Sequence, residues 1–289
     1  MKRKKSRSDK VIDFIVYASL IIFSLLVLFP FLQVITISLS PTEELNKFGL
    51  HIFPKKITFE GYKSVLSYPL IGSAYLNTIF RTVVATVMAS FFTILAAYPL
   101  SKKYLPHKKF WTLIIIFTMY FSGGLIPKYM LIKDLGMINH RSSLILPALI
   151  SAYNLIITRN FLMMLPESME EAAKIDGASH FKVFAQIVVP VSKPIIATIS
   201  LWYGVWNWNA WFDSMLYMLD EKKYVLQHVL RKILLEGQLA EDTLDIVSHV
   251  NTDAMKMATL IVAILPIICI YPFAQKYFVK GVVMGSVKE

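Results

Sequence analysis

The sequence predicts an all-α polytopic membrane protein with six transmembrane helices. Hydrophobic residues make up 56% of the chain and charged residues 17%, whereas a soluble domain is about 45–50% apolar and about 25% charged. The apolar residues are concentrated in six blocks, each near or above the roughly 20 residues that a helix needs to cross a bilayer. Composition and block length therefore both argue against a soluble globular protein.

The six predicted spans cover residues 11–39, 74–100, 110–131, 144–164, 195–216 and 257–279. The first is too long for a signal peptide, whose apolar region has about 7–15 residues, and no small-x-small cleavage site follows it. Pro30 in the first span and Pro266 and Pro272 in the sixth are expected to kink their helices, which neighbouring spans tolerate. Residues 11–289 are predicted to form a single transmembrane domain, preceded by a basic tail over residues 1–10.

Lysine and arginine near the span ends predict the orientation of the chain, because cytoplasmic loops are enriched in both. The tail MKRKKSRSDK has six basic residues, and the loop SKKYLPHKKF between the second and third spans has four. With both segments cytoplasmic, six spans place both termini inside the cell. The loop 165–193 is then cytoplasmic, and 41–73, 132–143 and 217–256 are outer loops.

The net charge of +11 is interpreted as a consequence of topology and of contact with anionic membrane lipid. Nucleic-acid binding is the weaker alternative, because the basic residues are spread over both membrane faces rather than gathered in one patch.

No catalytic or metal site is predicted. The chain contains no G-x-x-x-x-G-K-[ST] phosphate loop, no G-x-G-x-x-G fingerprint, no H-E-x-x-H motif and no G-x-S-x-G nucleophile elbow. Its single cysteine, Cys269, allows neither a disulfide nor a cysteine–histidine metal set. The chain is therefore expected to bind no cofactor, and uphill movement of a solute would need another polypeptide to supply the energy.

The loop 165–193, here called the knuckle, is predicted to form a helix–turn–helix. Pro166 suits the start of a first helix, and Gly177 suits a helix end that needs a positive φ. Ser179 is predicted to cap a second short helix, which Pro190 is expected to end. Glu167, Glu170 and Glu171 place acids in the first turns of the first helix, where they favour the positive end of its dipole. Met169, Ala172, Ala173 and Asp176 are spaced by three and four residues and form one face that is small rather than bulky.

These acidic and small side chains favour a docking surface for a partner protein. Small side chains let another surface approach the helix backbone closely. The alternative is an amphipathic helix pair lying on the lipid surface, which is disfavoured because anionic lipid attracts basic rather than acidic residues.

The knuckle also carries a recognisable motif: EAA, three residues, glycine, nine residues, then I-x-[hydrophobic]-P. The matching positions are Glu171, Ala172, Ala173, Gly177, Ile187 and Pro190. The pattern resembles the EAA loop of permease subunits of bacterial ABC importers, with Val189 in place of the usual leucine before the proline. The stretches SLSPTEEL, GGLIPKYMLIKDLGMINH, WNWNAWFD and YPFAQKYFVKGVVMGSVKE extend the resemblance to MalG-like carbohydrate-uptake permeases and their LplC/YtcP-like branch, from about residue 30 to residue 289.

The resemblance implies a type I ABC importer permease fold in a bacterial plasma membrane. It implies that the knuckle is the coupling helix that sits in a groove of an ATPase subunit, with Glu170 and Asp176 beside the six motif residues. The implied partners are a second homologous permease (usually in a heterodimer), two ATPase subunits that use ATP, and an extracellular solute-binding protein. The implied substrate is a sugar, either an oligosaccharide or a polysaccharide fragment, and the chain itself is not an enzyme.

The fifth span, LWYGVWNWNAWFDSMLY, offers a candidate substrate path. With the 100° step of an α-helix, its polar groups fall on one half of the helix, where they would face the bundle interior or a water-filled cavity. Amides suit sugar hydroxyls and aromatic rings suit the apolar sugar faces. The candidates are Tyr203, Trp206, Asn207, Asn209 and Asp213, and Trp208 falls on the opposite face. The alternative is an interfacial tryptophan belt whose asparagines bond neighbouring helices.

Two other function classes remain open. An ABC importer permease for an amino acid, peptide or phosphonate would also carry the EAA loop. A membrane-embedded enzyme or self-sufficient transporter would need intramembrane acids, a metal set or a nucleophile–base pair. Arg81 and Asp213 lie near the outer ends of the second and fifth spans, and Arg81 is expected to extend its charge to the outer surface.

Overall fold

The structure, a computed structural model, describes residues 7–45, 53–242 and 252–286. Residues 1–6 of the predicted basic tail and residues 243–251 of the predicted outer loop 217–256 lie outside the described residues. Every regular element within the described ranges is helical, as the all-α prediction requires.

The helices in the described ranges fall into a first set before the knuckle and a second set from the knuckle onward. The first set is α1 (Arg7–Ser38), α2 (Thr42–Leu45), α3 (Glu60–Leu66), α4 (Ile71–Ser101), α5 (Lys108–Tyr120), α6 (Leu125–Asp134), α7 (Ser142–Ile145) and α8 (Ala152–Met163). The second set is α9 (Glu167–Ile175), α10 (His180–Val183), α11 (Val189–Val191), α12 (Lys193–Asn209), α13 (Phe212–Tyr217), α14 (Leu226–Asp242) and α15 (Thr252–Ser286). A π-helical turn, Phe184–Val188, joins α10 to α11, and 3₁₀ turns occupy Leu146–Ala148 and Glu221–Lys223.

The described residues divide into two compact units, one of residues up to 69 with 230–265, and one of residues 70–229 with those from 266 onward. In the first unit, Ser38 Oγ and Tyr62 Oη share a hydrogen bond of 2.8 Å. Gly61 lies so close to α15 that a Cβ at this position would stand 2.8 Å from the carbonyl oxygen of Ala254. Only glycine allows α3 this close approach.

The second unit is organised around α4, which packs against α8 and α12. Small buried residues on α4, among them Ala85, Ala89 and Ala97, let the neighbouring helices approach closely. Ala89 packs with Ile199 and Tyr203 of α12, and Ala97 belongs to a separate cluster near the knuckle. The unit thus has one long central helix, α4, that contacts both α12 and the cluster near the knuckle.

Two described helices are long and apolar enough to cross a membrane unbroken, over Ser8–Ser38 and Ile71–Ser101. Three further helix pairs meet the same test only together, with bends of 110°, 48° and 76° inside the pair. By length and composition the described residues therefore hold up to five spans. The sixth predicted span, 257–279, lies within the helical range of α15. The division into six spans stays a prediction, and the bends are features that the predicted spans did not include.

Candidate functional site

The turn of the knuckle has the backbone geometry that the sequence predicts. Gly177 has a φ of +78°. Its N–H donates to Lys174 O at 3.0 Å, and the N–H of Ala178 donates to Ala173 O at 2.9 Å. This pair of bonds is the Schellman arrangement that ends a helix with glycine in the left-handed region. Ser179 then caps α10, since its Oγ accepts a hydrogen bond from Lys182 N at 3.3 Å.

The expected stop at Pro190 is wrong. The helical segment that begins at His180 continues through Pro190 to Val191, and a bend of 76° separates it from α12. The π-helical turn that ends at Val188 shifts the backbone hydrogen-bonding pattern just before Pro190. Such a turn lets a helix continue through a proline, whose nitrogen has no N–H to donate. Ile187 in this turn is half-buried and Pro190 is exposed.

Glu170 binds the C-terminal end of α4 rather than facing outward. Its carboxylate forms an ion pair with Lys102 Nζ, and the two side chains are only 13% and 15% exposed. Tyr98 Oη donates a hydrogen bond of 3.3 Å to the second carboxylate oxygen, and Lys102 Nζ lies 4.3 Å from the centre of the Tyr98 ring. These contacts join α9 to α4.

A second ion pair in the same region is exposed. Glu167 Oε1 lies 2.9 Å from Lys103 Nζ, with 62% and 82% of the two side chains open to solvent. The hydrogen bond from Lys103, followed by its charge, lowers the pKa of Glu167. Because exposed pairs of this kind contribute little to stability, the anchoring of α9 on α4 rests mainly on Glu170.

The outward surface of the knuckle differs in part from the predicted one. Glu171, Ala172 and Asp176 are exposed, as a docking surface requires, but Ala173 is half-buried and packs against the cluster that contains Val183 and Val188. The surface also includes two large apolar side chains that the prediction omitted. Ile175 is 86% exposed and Phe181 is 74% exposed. The exposed set Glu171, Ala172, Ile175, Asp176 and Phe181 is called the knuckle surface.

The fifth predicted span is not one continuous helix, so its predicted polar stripe is wrong beyond Asn209. The α12 helix ends at Asn209, Ala210 has an extended backbone (φ −73°, ψ 127°), and α13 starts at Phe212. The 100° step therefore does not carry through to Asp213. The buried guanidinium of Arg81 binds the chain at this break between α12 and α13.

Arg81 of α4 is 1% exposed, so the expectation that it reaches the outer surface is wrong. Its guanidinium donates to Asn207 Oδ1 and to the carbonyl oxygen of Ala210, both at 3.3 Å. It also donates to both carboxylate oxygens of Asp213, with 3.0 Å between Nη1 and Oδ1. One side chain thus satisfies a carbonyl freed at the end of α12 and pairs with the acid at the start of α13.

Two of the five path candidates stand within the protein. Tyr203 is 4% exposed; its hydroxyl shares a hydrogen bond of 2.8 Å with Thr93 Oγ1 and accepts one of 2.9 Å from Ser151 N. Asn207 is 3% exposed, accepts from Arg81 and donates to Tyr203 O at 2.9 Å. Both side chains hold helices together, which is the role that the alternative reading of the fifth span assigned to the asparagines.

The other three candidates line a cavity. The cavity has a volume of about 1430 Å³ and is bounded mainly by α4, α6, α7, α12 and α13. Trp206, Asn209 and Asp213 lie on its wall, and Trp206 is 51% exposed. Trp208, predicted to face the opposite way, also lines it and is 7% exposed. Trp202 and Trp211 complete a set of four tryptophans on the wall.

The sequence prediction missed two features of this region, the Arg81–Asp213 pair and Lys128, although lone charges in apolar blocks indicate both. Arg81 and Asp213 were the lone charges noted in the second and fifth spans, and opposite charges within a membrane tend to pair. Lys128, which also lines the cavity, is the one charged residue in the third apolar block, 110–131. A lone cation in an apolar block is a functional signal of the same kind.

Comparison with known proteins agrees with the fold. The family model for the binding-protein-dependent transport system inner membrane component matches residues 70–284. Protein LplC of Bacillus subtilis (strain 168) is 42% identical over 261 residues, covering 90% of this chain and 88% of the relative. The polygalacturonan/rhamnogalacturonan transport system permease protein YtcP of the same strain is 37% identical over 285 residues, covering 97% and 99%. A solved structure of a bacterial ABC transporter involved in the import of the acidic polysaccharide alginate includes a chain that matches with a TM-score of 0.87 and 31% identity, covering 96% of this chain and 100% of that chain.

Proposed function

The chain belongs to the family of binding-protein-dependent transport system inner membrane components, and from this premise we propose how it works as the permease subunit of an ABC importer. With a second homologous permease, in a heterodimer, it forms the transmembrane path for an oligosaccharide or polysaccharide fragment. An extracellular solute-binding protein delivers the substrate, and two ATPase subunits supply the energy. The chain itself binds no cofactor.

One observation carries the proposal: the segment from α9 to α13 is ion-paired to the α4 region at two points, one at the knuckle and one at the cavity. At the knuckle, Lys102, directly after α4, pairs with Glu170 of α9. At the cavity, Arg81 of α4 pairs with Asp213 of α13. Arg81 and Lys102 are separated by about 30 Å along α4, at 1.5 Å per residue. A displacement of the knuckle is therefore transmitted through packed, ion-paired helices to the cavity wall.

The knuckle surface is the part of the chain that suits an ATPase partner. It combines two exposed carboxylates, Glu171 and Asp176, with the exposed apolar side chains of Ile175 and Phe181. Apolar anchors surrounded by charges are typical of a specific protein interface. A charge reversal within the knuckle surface, Glu171→Lys, should weaken ATPase binding while Glu167→Lys, outside the knuckle surface, should have little effect. Equal ATPase recovery with both variants would exclude this docking mode.

The carbohydrate assignment rests on the relatives and on the cavity wall. The names of YtcP and of the solved transporter state polygalacturonan, rhamnogalacturonan and alginate. In this chain, the tryptophan rings on the wall suit the apolar faces of sugar rings, and Asn209 offers amide groups for hydroxyls. Ligand sites commonly combine such apolar walls with a few polar groups.

The orientation with both termini cytoplasmic is part of the proposal. On a Cys269→Ser background, single cysteines at Ser67 and Gln238 should react with a membrane-impermeant thiol reagent added to intact cells. Single cysteines at Ser6 and Ser179 should react only after permeabilisation. Labelling of Ser179 from outside would refute both the orientation and the ATPase docking of the knuckle.

Transport by the reconstituted complex tests the function itself. Proteoliposomes that contain this chain, its partner permease and the ATPase subunits should take up labelled oligosaccharide only with ATP and the binding protein. Uptake of an amino acid, peptide or phosphonate in place of sugars would identify the other importer class. Uptake without the ATPase subunits would identify a self-sufficient transporter.

A further inference from the structure

We propose that the cavity selects negatively charged oligosaccharides, and that Lys128 is the residue that determines this selectivity. The inference rests on the proposed function, because it names the substrate class of the same cavity. The inference is drawn from the charges on the cavity wall, of which one is compensated by a neighbouring group and the other is not.

Two of the residues that line the cavity have charged side chains, Lys128 and Asp213. The charge of Asp213 is compensated, because both of its carboxylate oxygens accept from the buried guanidinium of Arg81. Oδ1 also accepts a hydrogen bond of 2.9 Å from Ser214 N. The acid is therefore held by groups behind the wall, and the pair has no net charge toward a ligand.

Lys128 has no such compensation. It lies in the first turns of α6, after the sharp corner that separates this helix from α5, and its side chain is exposed. Among the residues whose side chains the structure describes, no carboxylate stands at ion-pairing distance from Lys128 Nζ. With Arg81 and Asp213 cancelling, the wall carries one net positive charge, and Lys128 is its source.

A single cation on an otherwise uncharged wall distinguishes substrates by charge. A uronic acid carboxylate would receive a charge-assisted hydrogen bond from the ammonium, about twice as strong as the neutral bond that a sugar hydroxyl would make. A cation in the cavity would likewise be repelled, so the same residue favours anionic and disfavours cationic solutes.

The experiment compares two probes with the same sugar backbone: trigalacturonate and its fully methyl-esterified counterpart, which has no charge and carries ester methyl groups in its place. Uptake of each is measured with the complete reconstituted transporter and its binding protein. The variants are Lys128→Gln, Lys128→Arg and, as a matched control on the same helix outside the cavity wall, Lys133→Gln. Each is first checked for assembly by size-exclusion chromatography.

We expect the wild type to take up trigalacturonate faster than the ester. Lys128→Gln should lower the ratio of the two uptake rates about tenfold, the effect of losing one hydrogen bond to a charged group. Lys128→Arg should keep most of the ratio and Lys133→Gln all of it. Because all variants share one binding protein, a change in the ratio belongs to the permease.

Equal wild-type uptake of both probes, or an unchanged ratio in Lys128→Gln, would overturn the inference. Uptake of neutral raffinose but of neither galacturonate probe would also overturn it and leave the proposed function standing. If no carbohydrate is taken up and the complex imports a solute of another class, the proposed function itself fails.

Discussion

Gly177 connects the two helices of the knuckle with a backbone conformation that side chains with a Cβ rarely adopt. Its φ is +78°, and a Cβ added at this position would meet no atom within 4 Å. The cost of a substitution therefore comes from the backbone alone. For an L-residue in the left-handed region this cost is about 1–2 kcal/mol, which changes the equilibrium between the observed turn and its alternatives by about 5–30-fold.

The substitution series Gly177→Asn, Gly177→Ala and Gly177→Val separates this backbone effect from side-chain volume. Asparagine tolerates the left-handed region better than other L-residues, alanine tolerates it less, and β-branched valine least. Because the turn sets the direction of α9 relative to α10, we expect the uptake per ATP hydrolysed to fall in the order Gly, Asn, Ala, Val. The amount of complex in the membrane should stay the same, since no buried contact is lost.

The assay measures uptake and ATP hydrolysis in the same proteoliposomes. Gly72→Ala provides the matched control, because a Cβ at Gly72 also meets no atom within 4 Å and this residue lies in α4, where alanine is favoured. Gly72→Ala should behave as the wild type. Normal coupling in Gly177→Val, or equal losses with asparagine and valine, would refute a role for the left-handed turn.

Three further substitutions test the contacts of α4 and of the fifth span. Arg81→Met leaves Asp213 unpaired and should destabilise the complex by about 3 kcal/mol, which would be measured as a lower melting temperature in detergent. Adding Asp213→Leu should recover part of this loss, and an unchanged melting temperature in both variants would contradict the buried pair. Glu170→Gln should lower binding-protein-stimulated ATP hydrolysis, while Glu167→Gln, in an exposed pair worth at most about 1 kcal/mol, should not; equal effects would contradict anchoring through Glu170. Asn207→Ala should reduce complex yield, because it removes an acceptor of Arg81, and a loss of uptake at normal yield would instead return Asn207 to the substrate path.

The knuckle was predictable because its signals are local. A glycine that can adopt positive φ and a serine that can cap the next helix act on their own backbone neighbours, and Gly177 and Ser179 both have the predicted geometry. Which acids face outward was not predictable, because it depends on the end of α4. Lys102 and Tyr98 are distant in sequence from Glu170, and their contacts turn this acid inward while Glu171 stays exposed.

The breaks in the apolar spans were harder to predict for two different reasons. The corner of 110° between α5 and α6 contains Gly123 and Gly124, so the sequence holds a signal there that hydropathy ignores. The break at Ala210 has no such local signal, because alanine is the best helix former. Its cause is tertiary, since Arg81 from another helix satisfies the Ala210 carbonyl and pairs with the acid that follows. No property of the fifth span alone contains that information.

The contrast between α4 and the fifth span also indicates where movement between the knuckle and the cavity would concentrate. The α4 helix is unbroken over 31 residues, so bending it would disrupt backbone hydrogen bonds within it. In contrast, α12 is bounded by the 76° bend after Val191 and by the extended residue Ala210, two points at which the chain leaves the regular α-helical path. Hinges are typically such element-terminal residues. Because α12 carries Trp202, Trp206 and Trp208 on the cavity wall, rotation of this one segment against α4 would change the shape of the cavity without unfolding either helix.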